Sequence, residues 1–215
     1  MRRLRLEGVI FDLDGTLVNS LHDIATCINL TRGELGLLPL PEREITSLVG
    51  EGSAALVRAT VPVPEEGFDA AVERYHANYT LHVLDTTRLF PGMEALLRRL
   101  AGRPLAVVTN KNERIAHLVL EGLGIRPLFS VVLCGESLPK KKPDPLPVRV
   151  TLERFGLPAH KVGLIGDGLH DVAAGKAAGV ITIAVSYGVG GRAALQAEKP
   201  DYLVDSVEEL DRLIG

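Results

Sequence analysis

Gly8-Val9-Ile10-Phe11 is an unbroken apolar run that stops against Asp12-Leu13-Asp14-Gly15-Thr16. A run this short, bounded by a glycine-containing turn, predicts a buried strand with two carboxylates at its carboxyl end. Two acids one residue apart repel each other, a cost that makes sense where a cation or a phosphate-handling task accompanies them. Gly15 and Thr16 give a tight turn whose free backbone N–H groups can cradle an anion. One carboxylate can attack phosphorus while the other moves protons, and a divalent metal can offset the charge of both. A plain surface turn uses the same residue types, so this stretch alone leaves both readings open. A calcium loop does not fit, because Leu17 stands at its sixth position and Asp23 at its twelfth, where glycine and glutamate are required.

Beyond that strand the chain changes character twice. From Ser20 to Leu84 the pattern is helical, with no convincing strand. Ser20 reads as the N-cap of a helix over 21–35 with Ile24, Ile28 and Leu35 on one face. Pro41 and Glu42 open a short helix that stops at Gly50. A third helix covers 53–59, and a fourth covers 65–83 with Phe68, Val72, Tyr75 and Tyr79. From Phe90 onward strands over 105–108, 131–133, 162–165, 181–185 and 202–204 alternate with helices over 91–100, 112–121, 146–155, 169–178, 192–197 and 207–213. That alternation predicts an α/β fold with a mostly parallel, Rossmann-like sheet covered by helices. The opening strand belongs to it. The expected division is therefore a core of residues 1–16 and 85–215, with 17–84 a helical excursion.

Parallel sheets place chemistry at the carboxyl ends of their strands. Those ends carry Asp12 and Asp14, then Thr109-Asn110-Lys111, then Lys140-Lys141-Lys142-Pro143-Asp144 in the loop after the third strand, then Gly166-Asp167-Gly168 with Asp171. Acids, a hydroxyl and lysines collect on one edge. A net charge of −3 argues against a nucleic-acid binder. Arg2, Arg3 and Arg5 precede an apolar run too short for a secretion signal or a membrane span. The two cysteines, Cys27 and Cys134, are far apart and read as buried thiols in a reducing, cytoplasmic setting. The six histidines form no zinc-spaced cluster.

In this order, these residues resemble the haloacid dehalogenase superfamily of aspartate-nucleophile phosphatases. Its four motifs match D-L-D-G-T at 12–16, V-V-T-N at 107–110, the lysine of K-P-D-P at 142–145, and G-D-x-x-x-D at 166–171. The helical block falls where such enzymes insert a mobile cap domain. Within the superfamily the chain is most similar to phosphoglycolate phosphatases, through D-G-T-L-V-N-S with Asp23, Val49-Gly50-Glu51-Gly52-Ser53, Leu56-Val57-Arg58-Ala59 and Leu89-Phe90-Pro91-Gly92. Asn19 stands where Asp is usual, and Gly168 replaces the usual serine beside the metal site.

The resemblance implies a role for each matching residue. Asp12 is the expected nucleophile, forming an aspartyl phosphate that water then hydrolyses. Asp14 is the expected general acid and base, with its backbone carbonyl on the metal. Thr109 and Asn110 are expected to bind the phosphoryl oxygens, and Lys142 to hold Asp12 and phosphate together. Asp167 and Asp171 complete an all-oxygen set, with Asp12 and Asp14, that suits magnesium (Mg2+). Gly50, Gly52 and Arg58 are candidates for reading the rest of the substrate. Hinges are expected near 17–20 and 85–89.

The expected partner is a small phosphorylated metabolite, with no nucleic acid and no membrane, and with the chain a monomer or homodimer. The leading reading is a phosphomonoester hydrolase acting on 2-phosphoglycolate. One alternative is a β-phosphoglucomutase-like mutase, which carries a cap histidine where this chain has Ile24. Another is a non-catalytic binding protein on the same fold. Dehalogenases and phosphonoacetaldehyde hydrolases lack the second aspartate, and the latter need a cap lysine, whereas the first lysine here is Lys111.

Overall fold

A computed structural model describes residues 3–215, so Arg2 of the basic amino-terminal group lies outside it. β1 (Gly8–Phe11) is buried at every position. Its side chains alternate across the sheet as a pleated strand requires. Val9 and Phe11 pack with Met93, Leu97, Val119 and Leu213 on one face, and Ile10 packs with Val108, Val148 and Leu164 on the other. After β1 come β2 (Val18–Asn19), α1 (Leu21–Glu34), α2 (Glu42–Thr46), α3 (Ser53–Thr60), α4 (Phe68–Leu81) and β3 (Arg88–Leu89). The alternating part then runs α5 (Met93–Leu100), β4 (Leu105–Val108), α6 (Glu113–Gly122), β5 (Val131–Leu133), α7 (Leu146–Phe155), β6 (Val162–Gly166), α8 (Leu169–Ala178), β7 (Ile181–Val185), α9 (Arg192–Ala197), β8 (Tyr202–Val204) and α10 (Val207–Ile214).

Six strands form one parallel sheet in the order β5-β4-β1-β6-β7-β8. The chain winds outward from β1 through β4 to β5, then crosses back to β6 on the other side of β1. The strand order therefore reverses at β1, the place where open parallel sheets bind ligands. β4, β1 and β6 are adjacent, so the residues that come directly after them share one edge.

Helices α1 to α4 bury a cluster of their own, built from Ile24, Ile28, Ile45, Val57, Tyr75 and Tyr79, with Ile115 of α6 reaching into it. At the borders of this block, β2 and β3 pair antiparallel, Val18 with Leu89 and Asn19 with Arg88. Asp23, in the first turn of α1, is buried and accepts from the backbone N–H and hydroxyl of both Thr86 and Thr87 at 2.5–3.0 Å. The outgoing and returning chains are thereby fastened to each other.

The structure corrects several local expectations. The second helix ends at Thr46 instead of Gly50, and the fourth begins at Phe68 after a separate 3-10 turn over Glu65–Gly67. The helix expected from Pro91 begins at Met93, because Gly92 adopts a left-handed φ of 86°. Ser20 occupies the N-cap position, but its hydroxyl caps no helix N–H and donates instead to Asp14 Oδ1 at 2.5 Å. Among the described residues, no helix is long and apolar enough to cross a membrane. Cys27 and Cys134 are both free and buried.

Candidate active site

At the carboxyl edge of β4, β1 and β6 lies a cavity of about 320 Å³. Asp12 and Asp14 come from the turn after β1, Thr109 and Asn110 from the end of β4, Lys142 from the loop before α7, and Asp167 and Asp171 from the β6–α8 connection. All seven line it, and so do Gly50 and Gly52 from the helical block.

Lys142 is the electrostatic centre. Its side chain is 2% exposed, and Nζ lies 2.6 Å from Asp171 Oδ1 and 2.9 Å from Asp12 Oδ1. Burial alone would pull the ammonium down, but the charges of Asp12 and Asp171 outweigh it and hold the group above its ordinary value. The contact to Asp171 is a hydrogen bond; the one to Asp12 is a charge contact too oblique to be one. Asp12 Oδ1 is therefore shielded and has no hydrogen-bond donor.

Asp167 is anchored from two sides. Thr16 Oγ1 donates to its Oδ1 at 2.8 Å and the Val189 N–H to its Oδ2 at 2.7 Å. A Cβ on Gly15 or Gly188 would collide with this carboxylate, and Gly15 also needs its positive φ of 78° for the turn. Asp171 accepts from the Gly168 N–H at 3.0 Å, so residue 168 braces this acid through its backbone. A Cβ at position 168 would stand 3.2 Å from Asp171 Oδ2, which explains how closely the glycine lets that loop approach.

Asp12, Asp167 and Asp171 each present an oxygen within 4.8 Å of the others. Burial is the main reason Asp12 is raised to about 6, with Lys142 opposing and Asp171 adding to the rise. Burial, then the charges of Asp12 and Asp171, raises Asp167 to about 8 against the hydrogen bonds it accepts. Three carboxylates against one lysine leave an excess of negative charge, and one oxygen lacks a donor. The donor set is all oxygen. These features fit a hard divalent cation. The Asp14 side chain does not join this trio; it turns to Ser20 and to Lys111, whose Nζ lies 2.9 Å from Oδ1 and 3.0 Å from Oδ2.

Thr109 Oγ1 accepts from the Lys111 N–H at 3.2 Å. Asn110 Nδ2 donates to the carbonyls of Gly50 and Lys142, each at 2.9 Å, which ties the helical block to the lysine loop. Lys141 Nζ adds a bond to the Glu51 carbonyl, and Gly52 lies so near the Asn110 carbonyl that a Cβ would be 2.7 Å away.

Arg58 is a correction. Its guanidinium pairs with Glu65 at 2.8 and 3.1 Å and stacks 3.7 Å over the Phe68 ring. Its side chain is 55% exposed, and it does not line the cavity. The lining from the helical block is instead Ile24, Ser47, Val49, Ser53, Leu56, Tyr75 and Tyr79 beside the two glycines. Thr16, Ser20, Lys111 and the Val189 N–H contribute to the site without a role assigned by the sequence motifs. Thr16 and Ser20 sit within or beside the D-x-D-G-T turn, and Lys111 directly succeeds Thr109-Asn110 at a strand end. Position is the only signal the sequence offers for them.

Comparison with known proteins agrees with this geometry. Residues 9–185 match the family described as haloacid dehalogenase-like hydrolase. A phosphoglycolate phosphatase of Chromobacterium violaceum is 39% identical, over 98% of this chain and 97% of its own. One from Neisseria meningitidis is 37% identical, over 95% and 92%. The crystal structure of a predicted phosphoglycolate phosphatase from Haemophilus somnus superimposes with a TM-score of 0.90 at 31% identity, covering 98% of this chain and 97% of that one.

Proposed function

The chain belongs to the haloacid dehalogenase-like hydrolase family, and from that premise we propose that it is a magnesium-dependent phosphomonoesterase of small phosphorylated metabolites, with 2-phosphoglycolate its substrate. The observation that carries the reading is the convergence of Asp12, Asp14, Thr109, Lys142, Asp167 and Asp171 on one cavity. The choice of 2-phosphoglycolate is supported by the names of relatives at 37–39% identity over nearly the whole chain. A cavity of about 320 Å³ also suits a small ester.

In this reading Asp12 attacks phosphorus in line, forming a bond from its carboxylate oxygen as the bond to the leaving oxygen breaks. Asp14 delivers a proton to that oxygen and afterwards takes one from the water that hydrolyses the aspartyl phosphate. Lys142 and the Thr109 hydroxyl balance charge on the transferring oxygens, with the Asn110 backbone N–H beside them. Asp12, Asp167 and Asp171, with the Asp14 backbone carbonyl, are the groups to hold the cation. When bound, that cation offsets the acids' charge and stabilises charge building on the phosphoryl group.

Residues 17–84 act as the cap and exclude water when seated on the core. β2 and β3 are the connections across which it would move. Ile24 is buried against the cavity, so this lining holds an apolar group where the mutases carry a histidine. That favours hydrolysis over phosphoryl return to a sugar.

The test is phosphate release from a panel of esters with magnesium, beside Asp12→Asn. The panel includes 2-phosphoglycolate, sugar phosphates, nucleoside monophosphates and pyrophosphate. Metal-dependent turnover led by 2-phosphoglycolate and lost in the variant is expected. Stronger turnover of another ester would sink the substrate assignment; conversion of glucose 1-phosphate to its 6-phosphate would favour the mutase.

A further inference from the structure

Lys111 is the cavity-lining charge that the proposed chemistry leaves without a task. Its side chain is 4% exposed. Its ammonium is surrounded by three acceptors, the two Asp14 oxygens at 2.9 and 3.0 Å and the Tyr79 hydroxyl at 2.7 Å. It also lies 4.3 Å from the centroid of the Tyr79 ring. Ser20 Oγ closes the other side of Asp14 Oδ1 at 2.5 Å. The carboxyl group is thus gripped through both oxygens, and no rotation about its last bond is possible without breaking the grip.

A buried ion pair of this kind is a weak source of stability, because desolvation of both charges offsets their attraction. What it does provide is geometry. Lys111 comes from the turn after β4, Asp14 from the turn after β1 and Tyr79 from α4 of the helical block, 32 residues from Lys111 along the chain. The lysine is completed only when α4 is seated.

We infer that Lys111, itself oriented by Tyr79, is the positioning residue that aims the Asp14 carboxyl group at the leaving oxygen. The inference rests on the phosphatase reading and adds to it. The step it serves is balanced: Asp14 first takes up a proton from solvent, the bond from Asp12 to phosphorus forms, the electron pair of the broken phosphorus–oxygen bond goes to the leaving oxygen, and the Asp14 proton goes to that same oxygen, which leaves the Asp14 carboxylate paired with Lys111. Lys111 Nζ is engaged by Asp14 and Tyr79, so the part assigned to it acts through Asp14. Its effect must therefore scale with how much the leaving oxygen needs the proton.

The test compares Lys111→Met and Tyr79→Phe with the parent enzyme on three esters in magnesium. They are 2-phosphoglycolate, glycerol 3-phosphate and 4-nitrophenyl phosphate, whose phenolate departs without a proton. kcat/KM is the quantity to read, since it covers only steps up to departure of the leaving group. Lys111→Met should lower kcat/KM for both alkyl esters, relative to the aryl ester, by about 10- to 100-fold, the scale on which misplacing a catalytic group acts. Tyr79→Phe, which removes one buried hydroxyl and keeps the ring, should move the same ratio in the same direction by a smaller factor. It carries the test if Lys111→Met does not fold.

Equal losses on all three esters, or unchanged ratios in both variants, would overturn the inference. A loss confined to 2-phosphoglycolate would overturn it as well, and would make Lys111 a reader of the substrate carboxylate. Failure of the parent enzyme to turn over any of the three would instead overturn the phosphatase reading, and the inference with it.

Discussion

Asp167 and Asp12 sit in the folded chain at about 8 and about 6, against about 4 for a carboxyl in the unfolded chain. Both therefore bind protons more tightly when folded. The stability they contribute to the metal-free protein is complete below about pH 4 and is lost as pH rises through their folded values. Metal-free melting temperature should thus fall between pH 5 and 8.5 more steeply in the parent than in Asp167→Asn. An identical slope in the two would contradict the geometry of the trio. Magnesium at about 100 times its Kd should raise the parent melting temperature at neutral pH by about 5–10 °C, with little effect on the variant. Both readouts are independent of turnover. They separate binding of a cation by these acids from the chemistry that the cation supports.

The helical block is held to the core through its ends, and Asp23 is the fastening. It is 1% exposed. Burial pushes its carboxyl up, but the hydrogen bonds from Thr86 and Thr87 outweigh this and hold it below the usual range. Asp23→Ala would leave the buried N–H and hydroxyl of Thr87 without their acceptor, and free those of the exposed Thr86 to water, at an expected cost of about 2–4 kcal/mol. A lowered group contributes stability above its unfolded pKa and loses it as pH falls through its folded one. Denaturant titrations should accordingly show the gap between parent and Asp23→Ala shrinking below about pH 4; a gap constant down to pH 3 would contradict this account. At this scale the sequence is legible where short apolar runs are bounded by turn residues. β4, β5, β7 and β8 match their expected spans because short apolar runs between glycines, prolines and charged turns have few other uses. β2 and β3 are not legible, since two-residue strands carry no periodicity. The start of α4 differs from its expected place because the acidic, helix-compatible Glu65 and Glu66 form a 3-10 turn that Gly67 breaks.

Across the whole molecule, the two levels of legibility have one physical cause. The motif residues succeed strands whose order can be inferred, so their meeting at one edge is readable from the chain alone. Contacts between the block and the core are not. Lys111 of the core meets Tyr79 of the block across 32 residues, and nothing in their local sequence marks a partner. Arg58 shows the reverse error: a cation near the right segment, but on the outer face of α3, where Glu65 claims it. The central claim is that Asp12 becomes covalently phosphorylated. The most direct measurement is acid quench of the enzyme during turnover of a radiolabelled phosphate ester with magnesium, then mapping of the label. The account predicts label on Asp12, discharged on chase with unlabelled ester and absent from Asp12→Asn. Full turnover by Asp12→Asn, or label on a different residue, would contradict it.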